Sequence, residues 1–235
     1  MAQAQSVRQK LDLRRAITGS AFVMILLVTV LGLFALFSIW SINRAWIEGM
    51  DRLTELRSLS TASLEAEVAF KVQVQEWKNI LLRGDDPQLL TKHHTAFLKQ
   101  DDDTQALLGN VAQQAETLGF NSDAARAETL IAAHRGLSQS YEETLRKMQG
   151  AAPTLDPATA RVIDVKLRGA DRALEADIAK LATDIGTDSD AKRNALIAAM
   201  AERYRALHWF IISVIIGSLA VMSFVLFRLL AATRG

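Results

Sequence analysis

The chain has 235 residues, and its 27 Lys and Arg nearly balance its 26 Asp and Glu. A formal net charge of +1 gives no electrostatic reason to expect a nucleic-acid partner. Cysteine is absent from the sequence, which excludes disulfides and thiolate chemistry and leaves the redox compartment open.

An uncharged segment at residues 16–42 predicts a first transmembrane helix. It exceeds the roughly 20 residues that cross the hydrocarbon core of a bilayer. It is also longer than the apolar region of a cleaved signal peptide, about 7 to 15 residues, so we expect a retained anchor. Residues 1–15 contain four basic residues and one acid, and the positive-inside rule therefore predicts that they are cytoplasmic.

The middle of the chain, residues 43–206, shows no strand pattern and predicts a helical domain. Breaks at residues 84–87, 119–122 and 150–157 each combine a glycine that can end a helix with a residue that can cap the next one. Apolar stripes recur at helical spacing, and short connections make neighbouring helices antiparallel. We therefore predict an all-α fold with an antiparallel up-down-up-down four-helix bundle. The predicted bundle helices cover residues 43–83, 87–118, 122–149 and 157–206.

A second apolar segment at residues 207–227 predicts another transmembrane helix of about the minimum length. Arg228 and Arg234 follow it without a neighbouring acid, so residues 228–235 are predicted to be cytoplasmic and the bundle to lie on the opposite side. No helix breaker separates either span from the adjoining bundle helix. We therefore expect the first and fourth bundle helices to continue into the two spans.

The sequence FKVQVQEWKNILLRGDDP at residues 70–87 is similar to a segment of bacterial methyl-accepting chemotaxis receptors. The order of span, bundle and span also resembles the N-terminal sensory half of these receptors. The resemblance implies a homodimer in the bacterial inner membrane, with both termini cytoplasmic and the bundle in the periplasm. It further implies signal transduction, in which the bundle binds a small solute and a conformational signal passes through the second span.

One feature departs from that family. Its receptors continue after the second span into a HAMP linker and a long cytoplasmic coiled coil, whereas this sequence ends eight residues after Phe227. We therefore expect either the sensory half of a longer receptor or a relative that signals through a partner. Two other functions stay open: a membrane-anchored interaction module that docks a partner protein, and an input domain of a sensor kinase or cyclic-nucleotide enzyme.

The resemblance implies that solutes bind at the end of the bundle far from the membrane, and that end is rich in basic residues. Lys71 and Lys78 are seven residues apart on one helix face, where two ammonium groups can hold a carboxylate. We predict a small anionic or amino-acid-like solute as the ligand. The predicted ligand-binding residues are Lys71, Trp77, Lys78, Arg83 and Lys166. The other basic residues of this region are Lys92, Arg146, Lys147, Arg161, Arg168 and Arg172.

These residues also have structural interpretations. Glu67 stands four residues before Lys71, a spacing that favours an ion pair, and Trp77 can fill the core instead of stacking on a ligand. His134 lies on an apolar stripe, which favours a core histidine over a ligand. The acidic run at residues 101–103 lacks the spacing of a calcium loop and is expected to form a solvated face.

The sequence contains no pattern that indicates catalysis. The adjacent His93 and His94 point about 100° apart on a helix and cannot form the i, i+4 pair of a metal site. No nucleophile stands beside a base, and no Gly-rich loop suits a phosphate. We therefore predict no enzymatic activity, no cofactor and no metal, and we expect membrane lipid around the two spans.

Overall fold

The computed structural model describes the backbone of residues 2–234 and the side chains of residues 14–15, 17–228 and 230–231. Most side chains of the two predicted cytoplasmic segments lie outside this description. All regular secondary structure in the described backbone is α-helical, so the predicted all-α class is confirmed. The helices are α1 (Ala2–Arg83), α2 (Pro87–Thr117), α3 (Asn121–Gln149), α4 (Pro157–Leu167) and α5 (Arg172–Arg234).

Helices end and begin at the three predicted breaks, and a predicted capping residue is in place at two of them. The Asp86 carboxylate accepts from the backbone N–H groups of Gln88 and Leu89 at 2.8 and 3.1 Å, and Pro87 opens α2. Asp156 caps α4 in the same way, with two bonds of 3.0 Å. At the middle break α3 begins at Asn121 without a side-chain cap.

The predicted fourth helix, residues 157–206, is wrong at one point, because a turn at residues 168–171 separates α4 from α5. Gly169 adopts a φ of +76°, a left-handed conformation that ends a helix and that glycine tolerates best. The apolar stripe hides the turn in the sequence, because Ile163, Leu167, Leu174 and Ile178 keep helical spacing across it. Beyond the turn, α5 runs unbroken through the predicted second span, as α1 does through the first.

The chain divides into two compact units: a central unit (Asp51–Asn194) and a terminal unit (Met1–Met50 with Ala195–Gly235). The central unit has two apolar clusters. The first joins side chains of α1, α2, α3 and α5 around Phe70, Leu108 and Ile178, and the second joins α1, α2, α3 and α4 around Trp77, Phe97 and Ile163. All five helices therefore contribute to its core, while the up-down-up-down order of a four-helix bundle stays a prediction.

The terminal unit contains the two apolar segments. Within it, Phe34 of α1 and Phe210 of α5 lie 5.2 Å apart between ring centroids, and a Cβ on Gly49 would stand 2.6 Å from the Met200 sulfur. Most large apolar side chains of both segments are nevertheless exposed. Both helices are long and apolar enough to cross a bilayer. Because so much exposed apolar surface is unfavourable in water, this unit is consistent with a membrane protein.

Candidate functional site

A groove of about 140 Å³ opens in the central unit between α1, α3 and the α4–α5 turn. Its apolar wall contains Trp77 and Tyr141. Three basic residues and two acids complete its lining: Lys78, Asp164, Arg168, Asp171 and Arg172. We call this site the basic groove. Cations, carboxylates and aromatic rings therefore line one concave surface at this site.

The aromatic wall of the basic groove is closely packed. Trp77 is 5% exposed and lies parallel to the Tyr141 ring, with centroids 4.4 Å apart and an interplanar angle of 2°. Phe97 packs against both rings. Burial, together with the nearby Asp171 carboxylate, raises the pKa of the Tyr141 phenol, which therefore stays protonated. Trp77 thus belongs to the core, as the structural interpretation predicted, and also lines the groove.

The charges in the basic groove are only partly paired. Arg168 donates to Asp164 over 2.5 Å on the same helix face. Among the described residues, the side chains of Lys78, Asp171 and Arg172 have no hydrogen-bond or ion-pair partner. Two free cations beside one free carboxylate can bind an anion, and they can also bind a molecule that carries both charges.

The structure brings together two of the five predicted ligand-binding residues, Trp77 and Lys78. Lys71 lies outside the basic groove and forms the ion pair with Glu67 that its spacing favours, at 2.6 Å. That hydrogen bond raises the pKa of the Lys71 ammonium. Arg83 and Lys166 are exposed and do not line the groove, so for these three residues ligand binding stays a prediction.

Arg168, Asp171 and Arg172 reach the basic groove through a turn that the sequence did not predict. All three belong to the α4–α5 turn or its edge, and an uninterrupted helix would have spread them along its surface. Gly169 was the one signal of this turn in the sequence, because a glycine inside a predicted helix is compatible with a turn. Asp171 and Arg172 follow it within three residues.

A buried polar network joins α1, α2 and α3 beside the first apolar cluster. The Gln73 amide nitrogen donates to Asp101 Oδ1 at 2.9 Å and to Ser138 Oγ at 3.1 Å. The Ser138 hydroxyl in turn donates to the same Asp101 oxygen. His134 Nε2 lies 2.7 Å from Gln73 Oε1, and its side chain is 0% exposed. The core position predicted for His134 is confirmed, whereas the solvated face predicted for Asp101 is wrong, because that carboxylate points to the network.

His93 and His94 of α2 pair with carboxylates on neighbouring helices. His93 Nδ1 lies 2.6 Å from Glu76 Oε2, and His94 Nε2 lies 2.9 Å from Glu142 Oε1. The hydrogen bond to Glu142 raises the pKa of His94. Among the side chains that the structure describes, no group of three His, Asp or Glu residues can hold a metal ion. These pairs therefore act as ties between helices.

Comparison with known proteins gives one relative. No family model and no solved structure matches the chain. A stretch of 134 residues, 57% of the chain, is 34% identical to part of the methyl-accepting chemotaxis protein CtpH of Pseudomonas aeruginosa, and the match covers 22% of that protein. The chain is therefore a partial homologue of a methyl-accepting chemotaxis protein, and this similarity suggests a sensor role.

Proposed function

We propose that this chain is a non-enzymatic transmembrane sensor of the chemoreceptor type. Its central unit lies in the periplasm, binds a small anionic or amino-acid-like solute in the basic groove, and signals through α5. The observation that carries the proposal is the lining of the groove, where Lys78 and Arg172 are free cations and Arg172 is the first residue of α5. The partial homology to a chemotaxis receptor supports the same function.

The free cations supply the binding energy in this proposal. A carboxylate between Lys78 and Arg172 gains charge-assisted hydrogen bonds, each worth about 1.5–3 kcal/mol. Asp171 lines the same groove as the two cations, so its carboxylate favours a solute that also carries an ammonium group. The exposed side of the groove permits exchange with the surrounding solution, since both cations lie on the surface.

The position of the turn supplies the coupling. A bound solute contacts residues 168–172, so it favours one conformation of the segment at which α5 begins. Since α5 continues unbroken to Arg234, we expect a displacement at its first turn to be carried toward the second span. Coupling of this kind needs a difference of only about 1–3 kcal/mol between two conformations.

An exposed apolar stripe on α1 supports the homodimer within this proposal. Leu64, Val68 and Val72 follow one another at four-residue spacing and are 52%, 60% and 39% exposed. A helical stripe of this kind needs a covering surface, and a second copy of α1 presents a self-complementary one.

Ligand titration of the full-length chain in detergent tests the solute site. Organic acids and amino acids are added at millimolar concentration while thermal unfolding is followed, and at least one is expected to raise Tm. Lys78→Ala and Arg172→Ala are expected to weaken its binding roughly 10- to 100-fold, whereas Lys99→Ala, which removes an exposed cation on α2, leaves affinity unchanged.

Two results would contradict the proposal. If no compound of the panel shifts Tm, direct sensing of such solutes by this chain is wrong. If Lys71→Ala abolishes the shift and Lys78→Ala does not, the ligand binds on the Lys71 face of α1 and the basic groove is not the site.

A further inference from the structure

The buried network around His134 joins three helices beside the first apolar cluster. Gln73 lies on α1, Asp101 on α2, and Ser138 and His134 on α3. Gln73 and Ser138 are 2% and 7% exposed, and His134 has no exposed surface. None of these four residues lines the basic groove. A change of protonation at His134 would therefore act on the central unit separately from solute binding in the basic groove.

The hydrogen bonds determine which nitrogen of His134 carries the proton. The Gln73 amide nitrogen donates to Asp101 and Ser138, so the amide oxygen faces His134 Nε2. An amide oxygen only accepts, and Nε2 must therefore donate. In the neutral ring the proton is on Nε2, and Nδ1 is a bare acceptor. Nδ1 is buried and has no hydrogen-bond partner among the described residues.

A second proton on His134 must go to Nδ1, where the closed core offers it no acceptor. A buried N–H without a partner is unfavourable, and a buried cation more so. Proton uptake is therefore favoured by any conformation in which Nδ1 reaches water. That conformation requires the packing of α3 against α1 to loosen, since the Phe70 ring of α1 lies edge-on to the imidazole, 5.7 Å between centroids.

The charged groups around His134 act in opposite directions. Asp101 of α2 faces Nε2 at 3.5 Å and favours the imidazolium, while Arg135 of α3 opposes it. Gln73 and Phe70 of α1 face the ring and do not titrate. The α5 residues of the surrounding cluster, such as Leu174 and Ile178, carry no titratable group.

We propose that His134 is a proton-sensing site, and that proton uptake at Nδ1 releases the contact between α1, α2 and α3. The ligand of this site is the proton, and the response is a looser central unit in acid. The sensor thereby responds to acidification of its surroundings without a solute in the basic groove.

The electrostatics of the site agree with this assignment. Burial is the main cause that lowers the pKa of His134, and Arg135 lowers it further against the opposing field of Asp101. The folded state therefore prefers the neutral ring. Stability from this group is complete above the ordinary histidine pKa of about 6.5 and is lost as the pH falls from there toward the lowered value. His94 has the opposite sign, because its raised pKa adds stability in acid.

Thermal unfolding of the full-length chain between pH 8 and pH 5 tests the proposal. The wild-type Tm is expected to fall in acid. The Tm of His134→Gln, a variant that keeps a donor near Gln73, is expected to fall by roughly 3 °C less over the same pH range. His94→Gln is the matched control, and its Tm is expected to fall more steeply in acid than the wild-type Tm. Equal pH slopes for His134→Gln and the wild type would overturn the proposal.

An NMR titration of the wild-type imidazoles tests the proton-sensing site even if the His134→Gln variant does not fold. The C–H resonances of His134 are expected to titrate at a lower pH than those of His94, and line broadening at residues of α1 and α2 should accompany the same transition. A His134 ring that titrates together with His94, or that titrates without any change at Phe70 or Asp101, would contradict the proton-sensing site.

Discussion

Trp77 belongs to the core and also lines the basic groove. Its indole stacks on Tyr141 and packs against Phe97, and its edge lines the basic groove beside Lys78. A buried aromatic pair in offset contact contributes beyond its buried area. The ring is therefore a closely packed neighbour of Lys78 in the lining, and within the proposed function this limits how much a solute must reorganise the site on binding.

Replacing Trp77 tests its contribution to the core. Trp77→Ala is expected to lower the free energy of unfolding by about 3–5 kcal/mol, because it leaves a cavity against Tyr141 and Phe97. Leu82→Ala, at a side chain that is 77% exposed on the same helix, is expected to change it by less than about 0.5 kcal/mol. Chemical unfolding of the full-length chain in detergent measures both. A Trp77→Ala protein as stable as the wild type would show that the indole is not a core residue.

Helix ends in the central unit are defined by local chemistry, and the caps of α2 and α4 were readable because aspartate and proline act within a few residues. The α4–α5 turn could not be predicted from the apolar periodicity of the sequence. Its glycine conformation competes with an apolar stripe that continues through the turn, and the stripe dominates any reading by periodicity.

The cap of α2 makes an element-scale prediction. Asp86→Ala removes the acceptor of two backbone N–H groups at the start of the helix and is expected to cost about 1 kcal/mol of stability. Asp85→Ala changes the preceding exposed aspartate, which has no capping bond, and is the control. Equal Tm values for the two variants would show that the cap does not contribute.

Two glycines, Gly84 directly after α1 and Gly109 inside α2, are expected to respond in opposite ways to substitution. A Cβ on Gly84 would lie 2.6 Å from the Ile80 carbonyl oxygen and 2.9 Å from Leu155 Cβ, so Gly84→Ala is expected to destabilise the junction of α1 with the loop before α4. A Cβ on Gly109, inside α2, meets nothing within 4 Å. Gly109→Ala is therefore expected to raise stability by up to about 1 kcal/mol. Thermal unfolding measures both, and a Gly84→Ala protein with raised Tm would contradict the described packing.

At the scale of the whole molecule, the absence of native cysteine makes the proposed dimer directly testable. Val68→Cys places one thiol on the exposed stripe of α1, and oxidation of membranes that contain it is expected to give a disulfide-linked dimer of this chain. Glu128→Cys, exposed on α3, is the control and is expected to stay monomeric. A monomer at both positions, or a cross-link to a different protein at Val68, would replace the homodimer with a monomer or with an interaction module.

The proposed orientation in the membrane is tested with the same single-cysteine strategy. Ser122→Cys lies in the central unit and Thr233→Cys near the C-terminus. In intact cells with a permeable outer membrane, a membrane-impermeant thiol reagent is expected to label the first and not the second. The reverse pattern would place the central unit in the cytoplasm and contradict periplasmic sensing.

The sequence by itself determined the all-α class, the two apolar segments, the capped starts of α2 and α4, and Trp77 and His134 as core positions. These features depend on length, on capping chemistry and on periodicity, which act over a few residues and leave a direct pattern. Only the tertiary structure showed the α4–α5 turn, the groove that both Lys78 and Arg172 line, and the network that joins Gln73, Asp101 and His134. The hydrogen bonds that Gln73 makes in the network join residues 28 to 65 positions apart, and the groove joins side chains of α1, α3 and the α4–α5 turn. Helical periodicity says which face of a helix is buried, but the packing of one helix against another decides which side chains meet across it.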